Sequence, residues 1–527
     1  MSAYFTRREL LNRIGAVGGS AAIYQVATVL GLLPQVARAA PLSLMPVAGV
    51  AAGKRVVVLG GGIAGLTAAY ELSAAGYDCT VLEASHRGGG RNLTVRGGDV
   101  IDELGGRQTC EFDRDPHLFF NARPARIPAN HTGLLGYCRM LGVKLEVFVN
   151  ENRNAWVQDD NAFAGRPVRY RELAADTRGF MAEVLAKGID VQRLDARLTT
   201  VDAEQIIEFA RAFGDLSPDL TYRGSARAGL AAGGMVIPAV LKKSYDFAEI
   251  MKSTFWRGPM QFGESEDQSA PMLTAVGGMD RIPAAFMRQL GRKVLLNARV
   301  TDVTLREHGV DVVYMHNGGP QQINADFCFT CMPSHLLAGV RHNFPAHYSA
   351  ALTAIPRGNL FKLAFQAKRR FWEDEHIYGG ISWTTQDINQ LWYPSHGINE
   401  QKGVLLGAYT FSPESGARFT NMAPNERIEA ALTQGARVHA DYRSLVEKGV
   451  SVAWHRMNYM LGCAARWTDE LRAQYFHTLQ EPVGNHYLIG DQISYHPGWQ
   501  EGAIQSALHA ITHLDARVRG GATVAQR

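Results

Sequence analysis

The 527-residue chain has only six cysteines, too few for a disulfide scaffold at this length, and sequence alone leaves open whether any of them pair. None of its 17 histidines forms an H-E-x-x-H or comparable pairing, so no metal reading arises. There is no basic run that could track nucleic acid, and a formal charge of +4, from 54 Lys and Arg against 50 Asp and Glu, names no partner. No internal repeat is visible, which excludes repeat architectures. What is present is the composition of an ordinary soluble globular protein, 46% hydrophobic and 20% charged, long enough for two or three domains.

The first 40 residues stand apart. "TRREL" (Thr6 to Leu10) precedes the apolar stretch "IGAVGGSAAIYQVATVLGLLP" and then "ARAA", where Ala37 and Ala39 flank Arg38. Paired arginines, an apolar segment and a small-residue site in that order read as a twin-arginine export signal. The expectation is a cleaved segment 1–40 and a periplasmic or secreted protein, cytoplasmic if the signal is unused, with no stable membrane association after processing. A retained helix or a membrane anchor are the alternatives, because the apolar run is just long enough to span. Residues 41–53 read as a small-residue linker.

From Lys54, "KRVVVLGGGIAGLTAAYELSAAGYDCTVLEA" has the rhythm of strand, glycine turn, helix and second strand. Gly60, Gly62 and Gly65 form a G-x-G-x-x-G in the required place, after an apolar strand and before a helix that begins with Ile63 and Ala64. The first glycine permits the turn, the second lets backbone approach a pyrophosphate, and the third lets helix lie close on strand. The helix start offers unpaired N–H donors to phosphate. Glu83 closes the second strand where a carboxylate accepts hydrogen bonds from ribose and repels a 2′-phosphate, which disfavours NADP. Farther on, "FCFTCM" reads as a buried strand in which Cys328 and Cys331 are small hydrophobes rather than a redox pair.

NAD and FAD both use such a unit, and "EASHRGGGR" separates them. Glu83 and Ala84 are followed by Arg87, Gly89, Gly90 and Arg91, a pattern that resembles the flavin-dependent amine oxidase superfamily. "LIGDQISYHPGWQEGAIQSA" is similar to the closing segment of that family, "GGMDRIP" (Gly277 to Pro283) to the start of its second cofactor piece, and Val300 to its strand contact on the adenine side. The similarity spans most of Lys54 to Leu514. It implies an α/β fold with a Rossmann-like FAD-binding domain assembled from three chain segments (54–108, 266–350 and 454–515), a mixed α+β substrate domain (109–165 and 351–453), a helical insertion (166–265) and a tail (516–527). It further implies Arg91 at the flavin diphosphate, Gly490 and Asp491 at the ribityl or pyrophosphate region, and Gln500 and the Glu501 to Ala503 backbone toward the pyrimidine edge. Ala125 and Trp454 are further cofactor contacts on this reading, core packing being the alternative for Trp454.

"FNARPARIP" (Phe120 to Pro128) places two guanidinium groups three residues apart in a loop pinned by Pro124 and Pro128. Read alone, this is a solvated basic turn or a planar fork held still for a carboxylate. "RPARIP" looks like the loop on which the L-amino acid oxidase branch carries its carboxylate-binding arginine. That resemblance assigns the role to Arg126 and leaves Arg123 to brace the loop or face solvent. It gives Tyr409 as a second carboxylate ligand, Lys362 as the lysine that holds a water above the flavin, Gly498 as a carbonyl for the amine and Trp499 as an aromatic wall. The segment from Ser494 to Trp499 lacks the cysteine of covalently flavinylated relatives, so the FAD is expected to be non-covalent. The implied reaction consumes an L-amino acid, O2 and water and yields a 2-oxo acid, ammonia and hydrogen peroxide. Gln261, Phe262 and Glu264 are candidate pocket residues, and Ala464 hints at room for larger neutral side chains. A monoamine or polyamine oxidase and an amino acid 2-monooxygenase are the alternatives on this scaffold; a homodimer is the candidate assembly.

Overall fold

The structure, a computed structural model, describes residues 53–188, 203–410 and 412–520. The expected export signal, nearly all of the linker and most of the tail lie outside the described residues. Among those described, no helix is long and apolar enough to cross a membrane, and no cluster of His, Cys, Asp or Glu could hold a metal. All six cysteines are free thiols.

The elements that build the site are, in chain order, β1 (Arg55–Leu59), α1 (Ile63–Ala74), β2 (Asp78–Leu82), β3 (Ile127–Pro128), α2 (Thr132–Met140), β4 (Met272–Ala275), β5 (Val294–Leu295), β6 (Phe327–Thr330), β7 (Phe361–Ala367), β8 (Gly403–Thr410), β9 (His486–Leu488) and α3 (Gln500–Val518). Five of the strands form a parallel sheet in the order β5-β2-β1-β6-β9. Such sheets are covered on both faces, which is why β1 is a continuous Val-Val-Val-Leu run and β6 is buried along its length. Helix α1 lies on this sheet so closely that a Cβ on Gly65 would sit 2.1 Å from the Gly60 carbonyl oxygen. The third glycine of the motif is therefore a packing requirement.

A seven-stranded sheet carries β7 and β8 side by side, with Lys362 directly opposite Tyr409 in their antiparallel register. Strand β7 is buried on both faces: Phe361, Leu363 and Phe365 enter one apolar core, while Ala364 enters the other beside Val450 and Trp454. Side chains alternate across a strand, so Lys362 shares the Ala364 side and is fully enclosed. Strand β4 pairs with β3 and with Leu145–Phe148. The chain around Met272, expected to open the second cofactor piece, thus belongs to a separate three-stranded sheet, and the parallel sheet resumes only at β5.

Residues 170–256 make a compact unit of their own, narrower than the helical insertion expected over 166–265. Val168–Arg169 is instead an edge strand of the seven-stranded sheet, and Pro259–Glu264 lies in the main unit. Helices Tyr170–Gly188 and Ala203–Gly214 pack through Ala182, Ala186 and Ala210 against Leu216 and Tyr222. The unit is not all helix: Leu230–Ala232 and Val240–Leu241 form a hairpin, turned by Gly233 and Gly234 at φ 71° and 92°.

One buried ion pair ties distant parts of the main unit together. Arg427 donates to Glu103 Oε2 at 2.8 Å, and Glu103 Oε1 accepts the Ala453 N–H at 2.7 Å, both side chains being essentially inaccessible. Removing one partner strands the other charge. Arg427→Met is expected to lower unfolding stability by about 3–5 kcal/mol, read from urea denaturation, with Glu103→Leu in the same chain recovering much of the loss.

Candidate active site

At the nucleotide-facing end, Gly60 adopts φ +103°, a conformation side chains avoid, and turns the chain from β1 into α1. Gly62 is the N-cap of α1 and no side chain caps it. A Cβ there would meet only Cys331 Sγ, at 3.7 Å, so any larger residue would project into a cavity of about 400 Å³. Glu83 is oriented by two backbone donors, Gly61 N–H at 2.7 Å and Ser85 N–H at 2.8 Å. Each carboxylate oxygen keeps acceptor capacity for a ligand.

The same cavity is walled by Gly60, Gly62, Ile63, Ala64, Glu83, Ala84, Arg91, Val300, Gly490, Asp491, Gln500 and Ala503, and it ends at Gly498 and Trp499. Arg91 pairs with Asp491, although 400 residues separate them. Burial alone would raise the Asp491 carboxyl; Arg91 and the Gly498 N–H (2.6 Å) instead hold it below the usual carboxylate range. Arg87, three glycines away, turns inward and donates to the Gly90 carbonyl at 2.7 Å, bracing the loop that presents Arg91.

Four of the expected cofactor contacts stand off these walls, Ala125 among them. Gly65 packs helix on strand. Trp454 is fully buried in the core and donates its indole N–H to Ala122 O at 3.0 Å. The Glu501 carboxylate accepts the Gly133 and Leu134 N–H groups at 3.1 and 2.7 Å. It caps α2, satisfying amides that a helix leaves unpaired.

Arg357 and Cys331 are further wall residues that the sequence did not mark as such. Arg357, a lone arginine in a loop, donates to Ser334 and to Gln492 at 2.8 and 2.5 Å; burial, then Arg91, pushes it down to about 10. Cys331 leaves β6, and its thiol donates to the Gly60 carbonyl at 3.0 Å, so it belongs to the cavity rather than to the strand.

A second cavity of about 200 Å³ shares Arg123, Pro124, Cys463, Gly498, Trp499 and Gln500 with the first, so the two meet at these residues. Its wall brings together Arg126, Ala125, Lys362, Tyr409 and Ala464, with Trp392, His131 and Gln268, which sequence reasoning missed. Arg126 is only 8% exposed, and its Nη1 is buried without a hydrogen-bond partner. Its guanidinium lies 4.5 Å from the Trp392 ring centre, 5.5 Å from Phe262 and 6.0 Å from Trp499. Burial pushes it down to about 10, with Arg123 adding to the effect; it stays a cation at neutral pH.

Arg123 does not face solvent. It donates to Cys463 Sγ at 2.7 Å and reaches the Tyr409 hydroxyl at 3.5 Å. Gly498, at φ +89°, fits against it because a Cβ would stand 2.9 Å from Nη2. Lys362 Nζ donates to the Asn121 and Arg123 carbonyls at 3.2 and 2.9 Å and lies 4.4 Å over the Tyr409 ring. Burial, then Arg123 and Arg126, hold it well below the usual lysine range. The two carbonyls each take a hydrogen of this amine, and its remaining position is left for a ligand of the chamber. Phe262 touches this site only beneath Arg126, and Gln261 and Glu264 line neither cavity.

Together the site has a long cavity with a glycine-lined helix start, a fixed acid at one end and buried arginines along it, opening into a small cationic chamber. Those features fit a dinucleotide cofactor: donors and cations for a pyrophosphate, acceptors for a ribose. The family described as flavin containing amine oxidoreductase matches residues 63–512. The chain belongs to that family. Curated relatives include the L-amino-acid oxidases of Echis ocellatus, 26% identical over 486 residues covering 88% of this chain and 89% of the relative, and of Pseudechis australis, 26% identical over 497 residues covering 88% and 87%. Among solved structures, wild-type putrescine oxidase bound to putrescine superposes with a TM-score of 0.58 at 20% identity, and cyclohexylamine oxidase from Brevibacterium oxydans IH-35A with 0.59 at 17%; each match covers 88% of this chain and 99% of the other. The shared fold is therefore that of the flavin amine oxidases, and FAD is the cofactor.

The open space at Gly62 makes a specific test of the cavity. Its backbone, at φ −72° and ψ 173°, suits any residue, so Gly62→Val should fold. Overpacking at the cofactor contact costs about 1–3 kcal/mol, roughly five- to 150-fold in flavin affinity. The expected result is a protein of unchanged circular dichroism with weakened flavin binding, measured by fluorescence titration of the apoprotein.

Proposed function

We propose that this member of the flavin amine oxidase family is an L-amino acid oxidase that converts L-amino acids, with O2 and water, to 2-oxo acids, ammonia and hydrogen peroxide. The observation that carries the reading is Arg126: a buried cation with an unpartnered Nη1 on the wall of the smaller cavity. An isolated buried charge is costly unless paired, and a carboxylate is the ligand group that pairs with a guanidinium bidentately. The relatives named as L-amino-acid oxidases support the same reading.

FAD, when bound, would supply the two-electron oxidation of the Cα–N bond, with O2 as the final electron acceptor. The chain supplies position and field. Arg126 and the Tyr409 hydroxyl hold the α-carboxylate, the Gly498 carbonyl accepts from the amine, and Trp499 and Trp392 close the chamber. Lys362, held by two carbonyls and depressed by burial and its arginine neighbours, keeps its remaining amine position for a water. Three fixed contacts on one Cα distinguish L from D substrates. The apolar rings and Ala464 favour neutral, larger side chains. The parallel sheet assembled from β1, β2, β5, β6 and β9 is read as a Rossmann-like FAD domain, holding its flavin without a covalent bond. A homodimer is the working assembly, and export through the Arg7–Arg8 pair is the working localisation.

The reading is tested by a peroxide-coupled screen across L- and D-amino acids with Arg126→Ala alongside. Loss of a buried carboxylate clamp of about 2–5 kcal/mol lowers kcat/KM by roughly thirty- to several-thousandfold, while flavin content is retained. Equal turnover of L-phenylalanine and phenethylamine would instead mark an amine oxidase, and an amide product with CO2 a 2-monooxygenase. Replacing Arg7 and Arg8 with lysines should abolish export, followed by cell fractionation.

A further inference from the structure

Arg126 is not the only unsatisfied group on this chamber. Two more of its lining side chains, His131 and Gln268, hold buried polar atoms with no hydrogen-bond partner, the His131 Nδ1 and the Gln268 Oε1. A zwitterion needs a donor for its carboxylate and acceptors for its ammonium group, and the chamber has both to spare.

His131 is 2% exposed and stands edge-on to Trp499, the ring centres 4.9 Å apart. Its Nε2 lies 3.1 Å from Asp267 Oδ1, which also accepts from the Asn130 amide at 3.3 Å. The Asp267 carboxyl is held below the usual carboxylate range, first by its hydrogen bond from His131. An ionised carboxylate only accepts, so Nε2 carries a hydrogen, and the unpartnered Nδ1 is the nitrogen left to take or give a proton. On its far side Asp267 Oδ2 lies 3.6 Å from His496 Nδ1, and the His496 side chain is 42% exposed. A line of titratable groups thus runs from an enclosed imidazole to solvent.

We propose that His131 accepts the proton released by the substrate's α-ammonium group and that Asp267 and His496 carry the charge out to solvent. The proposal rests on the oxidase reading above, since amine oxidation needs the nitrogen lone pair that protonation occupies. One N–H bond of the ammonium breaks, its electron pair stays on nitrogen, and the proton bonds to His131 Nδ1. The imidazolium is balanced by Asp267, and no electron changes hands in the step. Glu501 caps the α2 amides two and three residues beyond the imidazole, and the other charged groups lining the chamber are Arg123, Arg126, Lys362 and Arg466. The arginines favour loss of a proton from a nearby ammonium.

The test uses the holoenzyme and its anaerobic bleaching by L-phenylalanine from about pH 6 to about pH 10, across the histidine and amino-group ranges. In His131→Gln the reduction rate should fall roughly hundredfold or more near neutrality, the usual worth of a positioned base, and recover as pH approaches the titration of the free amino acid. Asp267→Asn should move the same limb in the same direction, and His496→Gln by less. Benzoate has a carboxylate and no ammonium, so its shift of the flavin spectrum and its affinity should be unchanged in all three, which also reports an intact site. A wild-type pH profile in His131→Gln, whatever its rate, overturns the proposal. So does loss of benzoate binding in both His131→Gln and Asp267→Asn, which would make the pair part of the carboxylate or flavin site. If no L-amino acid bleaches the wild-type protein, the oxidase reading itself falls, a result distinct from either.

Discussion

The chemistry of this molecule depends on a guanidinium kept out of water without an internal counter-ion. Trp392, Phe262 and Trp499 surround Arg126 with π faces, worth about 0.5–2 kcal/mol each at best. Desolvating a charge costs several kcal/mol, so the rings reduce the penalty without removing it. Every other nearby group is arranged so as not to neutralise the cation. Lys362 turns its hydrogens to carbonyls, Arg123 is occupied by Cys463 and Tyr409, and Asp491 is taken by Arg91. The chamber is electrostatically complete only when an anion is in it.

Strand pairing is what makes that arrangement rigid. The β7–β8 register sets Lys362 against Tyr409 with no freedom to slip, because a one-residue shift would exchange the faces of a strand buried on both sides. Arg126 is carried into place by the residues that follow it, since Ile127 and Pro128 pair with Leu273 and Met272. Pro128 lacks the N–H of a full ladder partner, which fits a strand only two residues long. The loop bearing Gly498 and Trp499 is fixed from below by Asp491, the same carboxylate that pairs with Arg91 at the nucleotide side. One acid therefore couples the two cavities mechanically.

Much of the nucleotide site is legible because its requirements are local. A glycine turn between an apolar strand and a helix, and an acid at the end of the next strand, sit within some thirty residues and mean the same thing in any fold that uses them. The substrate site is different. Arg126 and Lys362 are recognisable by resemblance, yet the burial that gives them their chemistry is set by strands from elsewhere in the chain. Gln268, His131 and Arg357 have no surrounding pattern, and nothing in their neighbourhoods marks them as wall residues. Trp454 and Glu501 show the converse error: both lie in the right segment, but one side chain turns into the core and the other into the start of α2. Cys331 was one residue from a correct strand, and that residue separates core from cavity. The hairpin at Leu230 escaped because alanine and leucine suit a helix until Gly233 and Gly234 reverse the chain.

The positive field of the small chamber acts on every proton inside it. It adds to burial, the larger effect, in depressing Lys362, and by the same sign it would depress an ammonium group brought in on an amino acid, while stabilising the carboxylate attached to it. A ligand with both groups is therefore sorted on entry: its anion is held, and its cation is pressed to discharge. A simple alkylamine meets only the second effect, with no attraction to offset it, and a simple carboxylate only the first. On the proposed reading, the cost of burying Arg126 becomes a preference for molecules that carry an acid and an amine on one carbon, and pressure for that amine to become neutral inside the chamber.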